Sequence, residues 1–328
     1  MGGKRRRRGG WMNRLALVGC GLGIATYIAR QTQTLDLQGK VVVITGGSRG
    51  LGLALAEEFA RQGARLVLCA RDSRQLETAR QRINALGAEA LAVPCDVTDQ
   101  AQVQMLVDSA LYQFGAVDVL VNAASVLRVG PVLSQDLQDF ADVMDASFWG
   151  MVYATLAVLP HMLERQGGHI VNITSIAGKI SMPHLAAFDS AQFAAVGFAR
   201  SLRAELAGAG ISVTTIMSGF LRESAQSGAL IDDSRRQETW TGQIAASPLA
   251  TLDTDQAARA IVTATCQGRA EVILPAPLKA LAVCYDLFPD LTLELLNRLA
   301  PSHPAAGPIQ MVLTLANSRM PKIESSRP

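Results

Sequence analysis

The chain has 328 residues, of which 49% are hydrophobic and 18% are charged, and its formal net charge is +2. This composition allows a packed core in one large domain or two small ones, and it excludes a chain that is disordered throughout. Six cationic side chains and no acidic one precede residue 15, which leaves −4 on the remainder (+2 less 6) and argues against a nucleic-acid partner.

Residues 4–8 are Lys-Arg-Arg-Arg-Arg, and residues 15–29 follow without a charge. A helix over those residues spans about 22 Å, which is short of the ~30 Å hydrocarbon core of a bilayer. We therefore expect residues 11–29 to form a membrane anchor that is short or lies in the membrane surface. A cleaved export signal, for which no A-x-A site follows, and a solvated tail or packed helix are the alternatives.

Residues 41–52 are Val-Val-Val-Ile-Thr-Gly-Gly-Ser-Arg-Gly-Leu-Gly. The β-branched run predicts a strand buried on both faces, and Leu51, Leu55 and Phe59 then recur at helical spacing. Glycines between a strand and a helix let the backbone approach a phosphate, and the start of the helix supplies free N–H groups. The segment therefore predicts the phosphate-binding corner of a dinucleotide-binding fold.

Alternating strands and helices continue as far as residue 274. Strands are predicted at 41–45, 65–70, 88–94, 117–121, 169–174, 211–217 and 271–274. Later helices are predicted at 73–86, 100–114, 136–166, 184–208 and 254–267, while residues 220–250 are loop-like. Pro160 favours a disturbance in the longest of these helices. The alternation predicts an α/β fold with a parallel sheet covered on both faces, in which ligands bind at the carboxyl ends of the strands.

Residues 276–300 contain two amphipathic segments separated by Pro289-Asp290, which predicts an αα-hairpin. The hairpin would cap the cleft or form part of a dimer face. The alternative is a pair of membrane-surface helices that acts together with the N-terminal segment. Residues 301–328 contain several prolines and little periodicity, so we expect a loose tail.

Three motifs make residues 38–275 resemble the short-chain dehydrogenase/reductase family. Residues 45–52 carry its TGxxxGxG pattern. Residues 118–125, Asp-Val-Leu-Val-Asn-Ala-Ala-Ser, align with its D-x-x-V-N-N-A-G, and residues 168–175 align with the strand that ends in its catalytic serine. The resemblance implies a Rossmann-like, doubly wound parallel sheet and an oxidoreductase fold.

The same resemblance divides the chain into three parts. Residues 36–275 would form a single dinucleotide-binding domain. Residues 1–35 would be the basic N-terminus with its anchor segment, and residues 276–328 a helical extension with its tail. We also expect a homo-oligomer.

The resemblance further implies a nicotinamide dinucleotide cofactor. The residues expected to bind it are Gly46, Ser48, Arg49, Gly50, Leu51, Gly52, Arg71, Asp96, Val97, Asn122 and Gln192. Family members that prefer NAD(H) place an acid at the end of the second strand, where this chain has Ala70 followed by Arg71. Two cations and no acid near the ribose favour NADP(H) over NAD(H). The alternative is that Arg71 is merely solvated.

The family's catalytic residues are an Asn, a Ser, a Tyr and a Lys, and only the serine is retained, as Ser175. The other three positions are occupied by Ser147, Phe188 and Gln192. A phenyl ring cannot protonate the alkoxide that hydride transfer leaves, and Gln192 brings no charge to tune a proton donor. We therefore predict an NADP(H)-binding pseudoenzyme that lacks normal carbonyl-reductase activity.

Two other functions stay open at this point. One is an active NADPH-dependent oxidoreductase of carbonyl or alcohol substrates with an altered proton donor. His184 and Asp189 are the nearest titratable residues, although a polar loop residue and a helix-surface acid are the simpler interpretations. The other is an interaction module that binds no nucleotide, against which the intact glycine turn argues.

The cysteines bear on localisation. Their number is odd and no C-x-x-C pair occurs, so we expect buried free thiols, without a disulfide framework or a zinc site. The five are Cys20, Cys69, Cys95, Cys266 and Cys284. Free thiols and an NADP(H) site favour a cytoplasmic main domain. With the anchor at 11–29 we expect a membrane-associated protein, and a soluble cytoplasmic protein is the alternative. The arginine cluster also favours a cytoplasmic N-terminus, which would place the body across the membrane if residues 11–29 span it.

Overall fold

The computed structural model describes residues 34–221 and 251–299. Seven strands form one parallel sheet: β1 Val41–Thr45, β2 Arg65–Ala70, β3 Ala90–Pro94, β4 Val119–Asn122, β5 Gly168–Ser175, β6 Ile211–Ser218 and β9 Glu271–Leu274. Their order in the sheet is β3-β2-β1-β4-β5-β6-β9. A separate parallel pair consists of β7 Phe220–Leu221 and β8 Thr251–Leu252.

Helices cover both faces of this sheet. They are α1 Gly50–Arg61, α2 Ser73–Ala85, α3 Gln100–Phe114, α4 Leu137–Met144, α5 Gly150–Glu164, α6 Ala186–Leu206, α7 Thr254–Cys266, α8 Ala276–Leu287 and α9 Pro289–Leu299. Successive β1 residues enter opposite cores: Val42 packs with Phe59 of α1, and Val43 packs with Val158 of α5. The predicted doubly wound parallel sheet in a single domain is therefore confirmed, and its central strands are buried on both sides.

Aspartate residues at the N-cap position fix where several helices begin. Asp72, Asp99 and Asp253 precede α2, α3 and α7, and each carboxylate accepts backbone N–H groups of the first turn. Asp136 and Asp139 form a reciprocal capping box at α4. These caps satisfy N–H groups that the helices leave unpaired, which explains why the sequence located these starts to within a residue or two.

The long helix predicted at 136–166 differs from the expectation in two ways. A π-helical turn, Asp145–Trp149, separates α4 from α5. Pro160 lies inside α5 without ending it. Proline leaves the carbonyl of residue 156 without its helical partner, and Leu156 is on the exposed side of the helix, where water can bind that carbonyl.

The predicted αα-hairpin is confirmed as α8 and α9, with Pro289 as the first residue of α9, a position that suits proline. Leu278 and Ala282 of α8 pack against Ile176 and Ile180, which follow β5. The hairpin therefore shares a core with the sheet domain.

Several predictions concern residues outside the described part of the chain: the anchor at 11–29, most of the loop at 220–250 and the tail at 301–328. Within the described part, Leu137–Glu164 is the one helical stretch long and apolar enough to cross a membrane. Half of its apolar window is buried inside the molecule. Core helices of proteins that do not cross membranes meet the same criterion, so this stretch is weak evidence for a span.

Candidate functional site

A cleft of about 530 Å³ lies at the carboxyl edge of the sheet, where the sequence predicted a ligand. Its walls include nearly all of the predicted site residues: Gly46, Ser48, Arg49, Gly50, Leu51, Gly52, Arg71, Asp96, Val97, Ser175, Phe188 and Gln192. A second surface cleft of about 590 Å³, lined by Arg200, Arg203 and Arg269, contains none of them. The first cleft is therefore the candidate site.

The glycine turn forms one end of the cleft, and its packing requires glycine. Gly46 has φ +71°, and a Cβ there would lie 3.0 Å from backbone atoms of Ala124. A Cβ on Gly52 would collide with the Gly46 carbonyl. The Thr45 hydroxyl accepts the N–H groups of Ala123 (3.1 Å) and Ala124 (3.2 Å), which fixes β1 to the end of β4. A backbone this closely packed at a helix start fits a bound pyrophosphate.

The next part of the wall comes from the ends of β2 and β3. Arg71 is exposed on the cleft, and the adjacent Asp72 caps α2, so its carboxylate already accepts two backbone N–H groups. Asp96 is oriented by Thr98, whose N–H (3.0 Å) and hydroxyl (2.9 Å) both donate to its Oδ1. The acid adjacent to Arg71 is thus engaged in a helix cap.

Ser175 and Gln192 are joined by a hydrogen bond. The Ser175 N–H donates to Oε1 of Gln192 at 2.9 Å, and the Ser175 hydroxyl accepts the Ala177 N–H at 3.2 Å. Gln192 is only 2% exposed. The amide at the family's lysine position therefore holds the backbone of the retained serine, a contact that sequence reasoning missed.

Phe188 lies one helical turn before Gln192 on α6. It is 9% exposed, packs with Val143, Ala177 and Leu185, and lines the cleft. The structure thus brings Ser175, Phe188 and Gln192 together as predicted, and it gives the tyrosine position an apolar setting.

Ser147 lies in the π-helical turn and is paired with Ser125. Their hydroxyls are 2.9 Å apart, and the Val126 N–H donates to Ser147 at 3.2 Å. Both positions depart from the family pattern, which has Asn at 147 and Gly at 125. This shared departure was the one sequence signal that could have indicated their contact.

Asn122 does not line the cleft, contrary to its predicted role in binding the cofactor. It is buried in the sheet, where its amide nitrogen donates to Asn172 (2.9 Å) and Thr155 (3.3 Å). The backbone passes the cleft at Ala123 and Ala124 instead. The side chain of Asn122 therefore holds β4 to β5 behind the wall.

Asp189 was expected on the helix surface, and this was wrong: it is 7% exposed. Its Oδ2 accepts the Met182 N–H at 2.8 Å, and its Oδ1 finds no partner among the described residues. Burial raises the pKa of Asp189 to about 7. His184 has φ +69°, and its carbonyl accepts the Gly130 N–H. Neither residue lines the cleft.

The cysteines are free thiols in the described part of the chain, as expected, but not all are buried. Cys69 and Cys95 are buried, Cys266 is half-buried, and Cys284 is exposed on α8. The described residues contain no group of three or more His, Cys, Asp or Glu side chains that could hold a metal ion.

Comparison with known proteins identifies the family. The model described as short chain dehydrogenase matches residues 40–233. An 11-beta-hydroxysteroid dehydrogenase from Pinus massoniana is 34% identical over 251 residues, which cover 73% of this chain and 68% of that protein. Dehydrogenase/reductase SDR family member 7B from Danio rerio is 34% identical over 253 residues, which cover 75% of this chain and 81% of that protein.

Solved structures that resemble this chain include members of the same family. A short chain dehydrogenase/reductase from Burkholderia phymatum in complex with NAD has a TM-score of 0.69 and 27% identity, over 79% of this chain and 96% of that one. NAD+-bound xylitol dehydrogenase has a TM-score of 0.63 and 25% identity, over 73% of this chain and 99% of that one. Both of these proteins bind a nicotinamide dinucleotide, which the cleft's glycine turn also fits. The chain belongs to the short-chain dehydrogenase/reductase family of oxidoreductases.

Proposed function

We propose that this protein binds NADP(H) in the cleft and lacks normal carbonyl-reductase activity. The observation that carries the proposal is the group Ser175, Phe188 and Gln192, which line the same cleft: the backbone N–H of the retained serine donates to a neutral amide, and the tyrosine position holds a phenyl ring. The relatives from Pinus massoniana and Danio rerio bear the names of dehydrogenases, so the impairment would be particular to this chain.

The chemical reason for the expected loss of activity is a missing proton donor. A bound nicotinamide supplies the hydride, and a carbonyl that receives it needs a proton at its oxygen. The Ser175 hydroxyl can hold the carbonyl, but Phe188 has no proton to donate and Gln192 provides no cation. The loss of general acid catalysis lowers a rate by roughly 10²–10⁴-fold.

The preference for NADP(H) rests on charge. Arg49 and Arg71 are exposed at the rim of the cleft, and the neighbouring carboxylate of Asp72 is used as a helix cap. A 2′-phosphate is stabilised by guanidinium groups, whereas a 2′-hydroxyl is normally bound by an acid at this position.

The decisive experiment is a fluorescence titration of the purified chain with NADPH and with NADH, followed by NADPH oxidation assays over a panel of aldehydes and ketones. We expect tighter binding of NADPH and at most trace turnover. Ordinary turnover would overturn the proposed impairment, and absence of binding would overturn the cofactor assignment.

One observation favours the alternative of an active enzyme with a different proton donor: the pKa of Asp189 is raised to about 7, which suits proton transfer near neutrality. Its position argues against the role, because the carboxylate contacts the Met182 N–H and does not line the cleft. If Asp189 were the donor, Asp189→Ala would abolish a measurable wild-type turnover.

We further propose that residues 11–29 attach the protein to a membrane, with the main domain in the cytoplasm. Large apolar side chains on the C-terminal hairpin support this, since Val283, Leu287, Phe288, Leu291 and Leu295 are each at least 50% exposed. Exposed Trp149, Leu156 and Phe193, outside the hairpin, support a homo-oligomer.

A further inference from the structure

Two cysteine thiols meet beside the cleft. Cys69 is the penultimate residue of β2, and Cys95 follows directly after β3, the neighbouring strand. The Cys69 thiol donates to the Cys95 carbonyl at 3.7 Å, and the Cys95 N–H donates to the Ala70 carbonyl at 3.1 Å. Cys69 is fully buried, whereas Cys95 is 3% exposed and lines the cleft next to Asp96.

Cys69 also supports the glycine turn. The Gly47 N–H donates to the Cys69 carbonyl at 3.0 Å, and the backbone of Gly46 hydrogen-bonds the Cys69 sulfur. One residue therefore contacts both the turn expected to hold the pyrophosphate and the wall expected to hold the adenosine.

The two thiols differ in acidity. A hydrogen bond between the Cys69 and Cys95 side chains is the main cause that lowers the pKa of Cys95, although burial and the charge of Asp96 act in the opposite direction. The same contact, with burial, raises the pKa of Cys69. Cys95, on the cleft wall, is thus the more acidic of the two thiols.

We propose that Cys69 and Cys95 form a redox-modification site, at which a hydroperoxide links them as a disulfide and thereby weakens dinucleotide binding. This regulation presupposes the dinucleotide binding proposed for the cleft. Formation of the disulfide itself does not depend on that binding.

The chemistry balances in two steps. The Cys95 thiolate attacks a peroxide oxygen, the O–O bond breaks, and Cys95 becomes a sulfenic acid while the released hydroxide takes up the proton that Cys95 lost. The Cys69 sulfur then attacks the sulfenic sulfur, an S–S bond forms, and the hydroxyl leaves as water with the Cys69 proton. Two thiols are oxidised by two electrons, and hydrogen peroxide is reduced to two waters.

The link would change the cleft because an S–S bond is only about 2.05 Å long. Drawing the two sulfurs together moves the Cys69 sulfur away from Gly46 and moves the backbone of Cys95 and Asp96. Conversely, a dinucleotide bound along this wall would cover Cys95 and slow its oxidation.

The test uses the purified full chain, treated with hydrogen peroxide, alkylated and digested for peptide mass spectrometry. We expect a Cys69–Cys95 linked peptide as the main product, and its formation to slow at least tenfold with saturating NADPH. A fluorescence titration should show a Kd for NADPH at least fivefold higher after oxidation, restored by dithiothreitol. Cys95→Ser should abolish the linked peptide and the change in Kd, whereas Cys284→Ser should preserve both.

Two results would overturn the inference: overoxidised Cys95 without a linked peptide, or a linked peptide with an unchanged Kd. Failure of the cofactor assignment is visible separately, as absence of NADPH binding to the reduced chain. In that case the linked peptide alone would support the modification site, and its absence would reject it.

Discussion

Gln192 shows how a neutral side chain can take a structural role at a position where the family has a cation. Its Oε1 accepts the Ser175 N–H, and a lysine ammonium could not, because it has donors only. Replacing Gln192 with lysine therefore removes a hydrogen bond at the moment it adds a charge. At Ser147 the obstacle is size, because a larger asparagine would crowd the Ser125 hydroxyl.

These contacts determine how the proposed impairment can be tested. Phe188→Tyr with Gln192→Lys and Ser147→Asn restores the acid, the cation and the relay position, and Ser125→Gly makes room for the asparagine. We expect the combined variant to raise NADPH oxidation at least tenfold on some aldehyde or ketone, measured by NADPH absorbance. Each single change should do much less, because such residues act as a unit.

Phe193→Tyr provides the matched control, since this phenylalanine is on the same helix but does not line the cleft. It should leave the trace rate unchanged. A combined variant that folds and binds NADPH yet gains no activity would show that the site lacks more than these residues. The expected cost of burying the new tyrosine hydroxyl without a partner is ~1–3 kcal/mol.

Arg71 allows a test of cofactor choice. Arg71→Ala should weaken NADPH binding by ~1–3 kcal/mol, or roughly 5- to 150-fold, because it removes a charge-assisted contact with the 2′-phosphate. NADH binding should not change. Isothermal titration of both cofactors measures this, with Arg74→Ala as the control, since Arg74 is in the first turn of α2 and does not line the cleft. Equal weakening of both cofactors would contradict the assignment.

At the scale of elements, α6 and the segment after Ser175 are joined by a buried acid. Asp189 of α6 accepts the Met182 N–H, and its second oxygen has no partner in the described structure. The folded-state pKa of about 7 lies above the ordinary value of 3.8. As pH rises from about 4 to 7, the unfolded chain loses this proton and the folded chain keeps it, so the free energy of unfolding falls.

Asp189→Asn should remove this pH dependence. Between pH 5 and pH 8 the wild type should lose about 3 kcal/mol of unfolding free energy through Asp189, and the variant should not. Urea unfolding at the two pH values measures the difference. Asp142→Asn, a change on the neighbouring helix α4, serves as the control. Parallel behaviour of wild type and Asp189→Asn would mean that Asp189 is ionised at pH 5 in the folded chain.

The elements that could be predicted from the sequence are those defined by local signals. β1, β2 and α3 begin and end where predicted, because apolar runs there are bounded by glycine or by capping aspartates. The π-helical turn, the burial of Asp189 and the inward orientation of Asn122 could not be predicted. Asn122 is turned inward by Asn172, which is distant in the sequence, and Asp189 is held by a backbone N–H of the preceding loop that the helical pattern does not show.

At the scale of the whole molecule, the first described residues already pack against the sheet domain. The Leu35 N–H donates to the carbonyl of Cys266 at the end of α7, and Leu37 is buried in the core. Residues from Thr34 onward thus contain the complete β1 and its support. The apolar residues 15–29 precede this point, so their removal takes away none of the described core.

We therefore expect the full chain to partition with membranes or detergent at both low and high salt, and a chain that starts at Thr34 to be soluble and folded. Apolar insertion is insensitive to salt, whereas attraction of the basic residues alone would be screened. Sedimentation with lipid vesicles, and circular dichroism of the short chain, measure this. Leu17→Asp with Ile24→Asp in the full chain should behave like the truncated form. A full chain that stays in solution would contradict the anchor.

The two hydrogen bonds at Gln192 and Ser147 have a consequence for descent. If an ancestor carried the family's Lys and Asn, returning to them one step at a time now passes through intermediates that lose Ser175–Gln192 or Ser125–Ser147 contacts and gain no turnover. Natural selection would therefore act only on the lost contacts. If the proposed loss of activity is correct, the present hydrogen bonds would oppose a stepwise return to the family's Lys and Asn.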